Sequence, residues 1–180
     1  MNTDIRWTVP SDGHTFPIYA GPAQDMDRIA EFADERGVTN IRFGGDTWEL
    51  SADNGPKASA VTGSGTWTAT GDAETFAKSK QYVLQADRHT VTIIAESKSH
   101  FVLDIDGEKA GQFTSENRGL RNLHVEFEGP GEKLPLDVQV FISWVARRIM
   151  EVRTLNSTKA LLIALLLCIP VIVAYWIGAI

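Results

Sequence analysis

The last 21 residues of the chain, Ala160 to Ile180, contain no charged side chain and are rich in Leu, Ile, Val and Ala. At ~1.5 Å per residue, a helix over this run covers roughly 31 Å, about the hydrocarbon thickness of a bilayer. A core helix of a 180-residue soluble protein would be shorter and would carry a polar face. The run therefore predicts a membrane-spanning helix over 160–180.

Individual residues of the run are typical of a membrane anchor. Leu161 and Leu166 are among the side chains that we expect to face lipid. Pro170 is expected to introduce a kink of the kind that membrane helices tolerate. Tyr175 and Trp176 lie near the far end, where aromatic side chains meet lipid headgroups. A single anchor of this kind, after a first segment without an apolar signal region, indicates a tail-anchored protein.

A basic cluster precedes the anchor and is opposed only by Glu151. Its members are Arg147, Arg148, Arg153 and Lys159. Because basic residues stay on the cytoplasmic side, we expect residues 1–158 in the cytoplasm and the C-terminus on the opposite side. The same cluster predicts attraction to anionic phospholipid, at about 1 kcal/mol for each cation near the surface. An equally good interpretation is that it only fixes the topology.

Charge and cysteine usage narrow the class of protein. The net charge of −6 argues against a nucleic-acid partner, which would require a basic surface. The single cysteine, Cys168, lies inside the apolar run, so no internal disulfide can form and a reducing compartment is indicated.

The stretch "PAQDMDRIAEFADERG" predicts one amphipathic helix between Pro22 and Gly37, after two short extended pieces. Its expected apolar face is formed by Met26, Ile29, Ala30, Phe32 and Ala33. Its expected outer face, a possible docking face for a basic partner, carries Asp27, Glu31, Asp34 and Glu35. Residues 1–45 are thus predicted to form strands plus this helix, packed on the following domain or standing as a separate arm.

From Gly37 onward, nine short apolar segments alternate with Gly, Asp and Pro, and "DIDGEK" carries the Asp-Gly pair of a hairpin turn. This rhythm predicts a mainly β domain over 46–153, an antiparallel barrel or a curled sheet. It ends in "DVQVFISWVARRIM", which is apolar around its whole circumference and predicts a buried helix over 135–150. A central strand is the alternative. We expect a short linker over 154–159 before the anchor.

The segments "YVLQADRHTVTIIAESKSHFVLDIDGEKAGQF" and "DVQVFISWVARRI" together resemble the tubby C-terminal-like fold, the group of the phospholipid scramblases and LURP-one-related proteins. The resemblance covers about residues 80–150 and is one of pattern. It implies a β-barrel threaded by an apolar helix, and it implies lipid binding or lipid movement at a membrane.

Catalytic and metal-binding motifs do not stand out in the sequence. His14, His89, His100 and His124 are widely spaced, and Asp104 with Asp106 lies beside the hairpin turn. We therefore expect no catalytic residue, no metal and no cofactor. The sequence predicts a non-catalytic accessory or assembly subunit of a larger integral membrane complex, such as a transporter or a respiratory-chain assembly. The alternatives are a tubby- or scramblase-like lipid-handling protein and, less well supported, an enzyme acting on membrane-associated substrates.

Overall fold

The structure is a computed structural model that describes residues 3–10, 12–115 and 122–176. Within them, twelve antiparallel strands form a closed barrel in which each strand pairs with the next along the chain and β12 pairs with β1. The strands are β1 Asp4–Trp7, β2 Thr15–Gly21, β3 Asp27–Glu35, β4 Val38–Phe43, β5 Asp46–Ala52, β6 Lys57–Thr62, β7 Gly65–Gly71, β8 Gln81–Ala86, β9 His89–Ala95, β10 His100–Ile105, β11 Glu108–Thr114 and β12 His124–Phe127. A 3-10 turn, Gly129–Lys133, and one helix, α1 Leu136–Trp176, follow.

Alternation of apolar and polar residues decides which side chains enter the barrel. In β8, Tyr82, Leu84 and Ala86 are buried while the residues between them are exposed. Closure joins the first strand to the last, with Ile5 opposite Val125. A closed sheet leaves no strand edge unpaired, which removes the usual template for aggregation.

The first half of α1 fills the barrel. Residues 138–146 of the helix are all buried, and Phe141 packs edge-on against Trp67 at 5.6 Å between ring centroids. A barrel of about eight strands is filled by its own side chains, so a twelve-stranded barrel has room for an additional element. The buried helix predicted over 135–150 is confirmed, and the strand alternative for that segment is wrong.

Hydrogen bonds inside the barrel satisfy several polar groups of the buried half, although the Gln139 side-chain oxygen has no partner among the described residues. The Trp7 indole donates to the Ser143 hydroxyl at 2.9 Å, and that hydroxyl donates to the Val140 carbonyl oxygen at 2.7 Å. At the end where α1 enters, the Gln139 amide donates to the Gly131 carbonyl oxygen at 3.0 Å. Gly131 lies so close to Ala110 that a Cβ would come within 1.9 Å of the Ala110 carbonyl oxygen.

The predicted N-terminal helix is wrong, because its central residues form β3. Ala30 and Phe32 point into the barrel, two residues apart, so the apolar spacing also fits a strand. Gly37 does not end a helix. Arg36 (φ 55°) and Gly37 (φ 84°) both have positive φ and form the two-residue hairpin turn between β3 and β4.

The second half of α1 leaves the barrel without a break. The predicted linker 154–159 is helical, and Pro170 lies inside the same helix. Every residue from 157 to 170 is exposed, in contrast to the buried stretch 138–146. One rigid element therefore joins the barrel core to a protruding apolar segment.

Candidate functional site

The end of the barrel from which α1 emerges brings together most of the charged residues that face the helix. We call it the exit rim. It consists of the turns after β1, β3, β5, β7 and β9 together with Ser115 after β11, and it surrounds α1 from Arg147 to Lys159. The rim is where the filled barrel gives way to the protruding helix.

Arg147 is held among aromatic rings just inside the exit rim. Its guanidinium carbon lies 4.1 Å from the ring centroid of Phe16, 5.1 Å from that of Trp7 and 5.7 Å from that of Phe32. Burial lowers the pKa of Arg147 below its usual value, and the charge of Glu151 partly opposes that effect. The side chain therefore closes one side of the barrel mouth.

Arg153 is fixed on another side of the same mouth. Its Nη2 donates to the Ser79 carbonyl oxygen at 2.6 Å and to the Tyr82 hydroxyl at 3.4 Å, and its guanidinium lies 4.8 Å from the Phe101 ring centroid. Burial raises the pKa of Tyr82, while the hydrogen bond and charge of Arg153 act in the opposite direction. Tyr82 therefore stays a neutral donor, with its hydroxyl 2.6 Å from the Phe76 carbonyl oxygen.

The predicted basic cluster is thus distributed around the helix rather than gathered in one patch. Arg148 donates to the Asp53 carbonyl oxygen at 3.3 Å and to the Glu151 carboxylate at 3.5 Å. Lys159 is exposed nearly two helical turns beyond Arg153. The three arginines contact three different parts of the rim, and Lys159 lines the outer part of a rim cavity that also contains Asp53.

Three cavities open between α1 and the exit rim. The first, of about 490 Å³, lies beside Arg147 and also contains Asp34 and Glu151. The second, of about 430 Å³, lies beside Arg148 and Lys159 and contains Asp53. The third, also about 430 Å³, lies beside Arg153 and Lys98. All three are clefts around the base of the protruding helix.

Two turns of the exit rim are fixed by carboxylates. Asp12 accepts hydrogen bonds from the backbone N–H groups of Thr15 at 2.7 Å and His14 at 2.9 Å, which lower its pKa to about 2. The Asp72 carboxylate accepts from the N–H groups of Lys80 at 2.8 Å and Gln81 at 3.2 Å, and these bonds lower its pKa. Both aspartates order the loops that surround α1.

The predicted acidic docking face does not form, because it required a helix. Asp27 begins β3 and Asp34 and Glu35 lie at its other end. Glu31 sits between them on the outer side of the barrel and pairs with Arg28 at 2.5 Å and Arg42 at 2.6 Å. The four carboxylates therefore do not present one surface.

Two of the four candidate histidines, His100 and His124, line one cavity of about 460 Å³, and His14 and His89 do not line it. His124 lies 2.9 Å from the Asp4 carboxylate and His100 lies 3.6 Å from that of Glu96. The Asp104 carboxylate accepts the Gly107 N–H and so belongs to the hairpin turn. Within the described ranges, no group of three His, Cys, Asp or Glu side chains is arranged to hold a metal ion.

The anchor residues lie on the protruding half of α1. Leu161 is 69% exposed, Leu166 is 62% exposed and Trp176 is 83% exposed. The side chain of Tyr175 lies outside the described part of the structure, as do residues 177–180. By length and composition, α1 is a helix that can cross a membrane.

Sequence reasoning missed Lys98, Ser99 and Tyr82, which lie on β-strands or turns distant in sequence from the helix they contact. The alternation in "QYVLQA" is the one sequence signal that Tyr82 points inward.

Comparison of the chain with protein-family models, curated proteins and solved structures gives no match. The resemblance to the tubby C-terminal-like fold therefore stays a prediction.

Proposed function

We propose that this protein is a non-catalytic, single-pass membrane protein whose barrel serves as an accessory or assembly module beside an integral membrane partner. The observation that carries the proposal is the continuity of α1. Its first half is the core of the barrel and its second half is apolar and exposed. A contiguous exposed apolar segment of this length requires cover by lipid or protein.

The exit rim is well suited to lie at the membrane surface. Ala160, the first residue of the apolar run, comes seven positions after Arg153, the last arginine bound to the rim, and at ~1.5 Å per residue this is a rise of about 10 Å. The headgroup layer on each side of a bilayer is roughly 5–8 Å thick. The rim also exposes apolar side chains, with Val9 58%, Val38 64% and Leu155 54% exposed.

The use of the barrel interior supports a role for the protein's surface. The barrel centre is occupied by α1 side chains such as Phe141 and Val145, so ligands meet the protein at its rim and outer wall. Transporters and respiratory-chain assemblies are the kinds of complex we propose for the partner. The basic residues before the apolar run favour a cytoplasmic barrel.

Co-purification tests the partner. Full-length protein extracted in mild detergent should carry an integral membrane protein at a fixed ratio. A matched control replaces 160–176 by a Leu/Ala helix of equal length, which keeps the anchor and changes its packing surface. A partner that stays bound to this control docks on the barrel or the rim. Purification of the chain alone contradicts the accessory role.

Lipid handling is the second candidate, favoured by the cations around the exit rim and implied by the tubby-like resemblance. It predicts binding of anionic liposomes that weakens as the salt concentration rises, because exposed charges are screened.

The side of the membrane on which the barrel lies is tested by adding protease to the outside of intact spheroplasts or cells. A barrel on the cytoplasmic side resists digestion until the membrane is opened.

A further inference from the structure

The cavity beside Arg153 differs from the other two cavities of the exit rim in its charge. We call it the cation pocket. Its β-strand side is formed by Lys98, Ser99 and Ser115, and its helix side by Arg153, Ser157 and Thr158, over a floor that includes Phe101 and Met150. None of the described residues that line it is acidic, whereas Asp34 and Glu151 line one neighbour and Asp53 the other.

Neither cation of the pocket has an acidic partner within the part of the chain that the structure describes. Among the described residues, no carboxylate lies within ion-pairing distance of Lys98 or Arg153. Arg153 is half-buried whereas Lys98 is exposed. A half-buried charge is normally paired, since the loss of hydration is otherwise uncompensated. An anion in the pocket would supply the missing partner for both cations.

Arg153 is oriented in advance of any ligand. Its Nη2 donates to the Ser79 carbonyl oxygen at 2.6 Å, and its guanidinium carbon lies 4.8 Å from the Phe101 ring centroid. Its Nε is buried and, within the described part of the chain, has no hydrogen-bond acceptor. A guanidinium that is fixed in this way loses little freedom when an oxyanion binds to it.

Hydroxyl groups complete the donor set. Ser157 projects from α1 just before the apolar run, and Ser115 comes from the facing turn after β11. The Thr158 hydroxyl also lines the cleft but donates to the Thr154 carbonyl oxygen at 3.1 Å. Guanidinium, ammonium and hydroxyl donors converging on one cleft form the donor set that proteins use for phosphate oxygens. The cleft of about 430 Å³ is large enough for a phosphate group with one ester substituent.

We propose that the cation pocket binds a phosphate group, carried either by an anionic lipid headgroup or by free phosphate. The lipid source rests on the proposed membrane attachment, which would place Ser157 and Thr158 at headgroup level. The binding of a phosphate oxyanion as such rests only on the pocket. The two claims can therefore fail separately.

The test uses the full chain in an uncharged detergent, titrated by calorimetry with dihexanoyl phosphatidic acid and, separately, with inorganic phosphate. Lys98→Glu reverses an exposed charge of the pocket, and Ser157→Phe fills the cleft without a change of charge. Lys57→Glu is the matched control, because Lys57 is an exposed lysine of the same rim that does not line the pocket. Thermal unfolding of each variant verifies that it is folded.

We expect wild type and Lys57→Glu to bind phosphatidic acid with the same affinity. Lys98→Glu should weaken binding by at least about fivefold, the effect of one cation near a phosphate. Ser157→Phe should abolish it. Binding of phosphatidic acid alone supports a lipid headgroup as the ligand, and binding of both probes with similar affinity supports free phosphate.

The proposal is overturned if neither probe binds, or if Lys98→Glu and Ser157→Phe bind as wild type does. Liposome flotation of the same variants measures membrane attachment independently. Variants that float normally but no longer bind phosphatidic acid show that attachment does not depend on the pocket. Wild-type protein that binds in detergent but does not float contradicts the proposed membrane role and leaves the pocket intact.

Discussion

At the scale of single residues, the barrel mouth is organised by side chains that combine charge with a long apolar body. Arg147 places its stem and guanidinium against Phe16, and Arg153 does the same over Phe101. Both side chains exclude water from the core while they keep a polar group near the surface. Their contribution to stability is therefore packing as much as charge.

Substitution at Arg147 separates these two contributions. Arg147→Ala should lower the free energy of unfolding by about 2–4 kcal/mol, because both the packing and the cation–π contacts are lost. Arg147→Met keeps an apolar stem of similar length and should cost about 1 kcal/mol. Urea unfolding followed by tryptophan fluorescence measures both. If Arg147→Met lowers the free energy of unfolding as much as Arg147→Ala does, the charge of Arg147 rather than its packing stabilises the barrel mouth.

The carboxylates of the rim turns give the protein a defined acid sensitivity. Asp12 has a folded-state pKa of about 2, below the usual value of 3.8, and the pKa of Asp72 is also lowered. A lowered folded pKa stabilises the fold above the unfolded value, and this stabilisation is lost as pH falls through the folded value. The stabilisation that the Asp12 carboxylate provides is therefore lost between about pH 4 and pH 2.

Asparagine at these positions removes the titration. Asp12→Asn and Asp72→Asn should be less stable than wild type at pH 6 and should lose less stability between pH 5 and pH 2. Urea unfolding midpoints measured across that range provide the comparison. Asp27→Asn, at the other end of the barrel, is the control. A wild-type pH profile in both rim variants would show that these turns do not depend on the carboxylates.

At the scale of elements, β3 shows the limit of pattern reading. Ala30 and Phe32 satisfy a helical and a strand spacing at once, and the flanking Asp and Arg residues look like helix ends. Pairing with neighbouring strands makes this segment a strand rather than a helix. Both β2 and β4 pair with it, and Phe16 and Ile41 lie opposite Phe32. Partners across a sheet are not visible in one local window. The segments after Gly37 were predictable because each alternates within its own length.

The β3–β4 turn offers a direct check of this assignment. A type I′ hairpin turn favours Asn-Gly, and Arg36 adopts its φ of 55° at a cost. Arg36→Asn should therefore stabilise the protein by roughly 0.5–1 kcal/mol. Urea unfolding measures the change, with Arg28→Asn in the extended part of β3 as the control. A loss of stability in Arg36→Asn would contradict the hairpin.

The junction between the two halves of α1 is the element that the sequence described least well. "RTLNST" combines β-branched and small polar residues, which suggested a linker, yet Thr154 and Thr158 bond back to the carbonyl oxygens of Met150 and Thr154 within the helix. Tertiary support from the rim and continuation into the apolar run stabilise helix at this point. Local propensity is a weak guide where both flanks are helical.

Trypsin measures whether the junction is helical in solution. Lys159 is exposed, so a flexible linker would be cut there quickly, whereas a helix resists. In detergent, wild type should be cut after Lys159 at least about tenfold more slowly than a variant with Gly-Gly-Ser inserted after Ser157. Equal rates would show that the junction is not a stable helix.

At the scale of the whole molecule, the sequence predicted the class of fold but not its closure. Alternating strands, a buried helix and an apolar run were all apparent, and so was a barrel or curled sheet. The pairing of Ile5 with Val125 joins residues far apart in the chain, and Lys98 comes to line a cavity with Arg153 of α1 only when the barrel closes. The basic residues were predictable as a group, but not their dispersal around the rim.

The most direct test of the central claim, that α1 carries the barrel core into a membrane, uses the single cysteine. Cys168 lies eight residues into the apolar run, so at ~1.5 Å per residue a spin label there should sit about 12 Å deep, near the bilayer centre. Power-saturation EPR of labelled protein in liposomes should show high accessibility to oxygen and very low accessibility to a water-soluble nickel complex. A label on Thr154→Cys, with Cys168 replaced by Ala, should show the reverse order. Equal access of the nickel complex to both positions would contradict the claim.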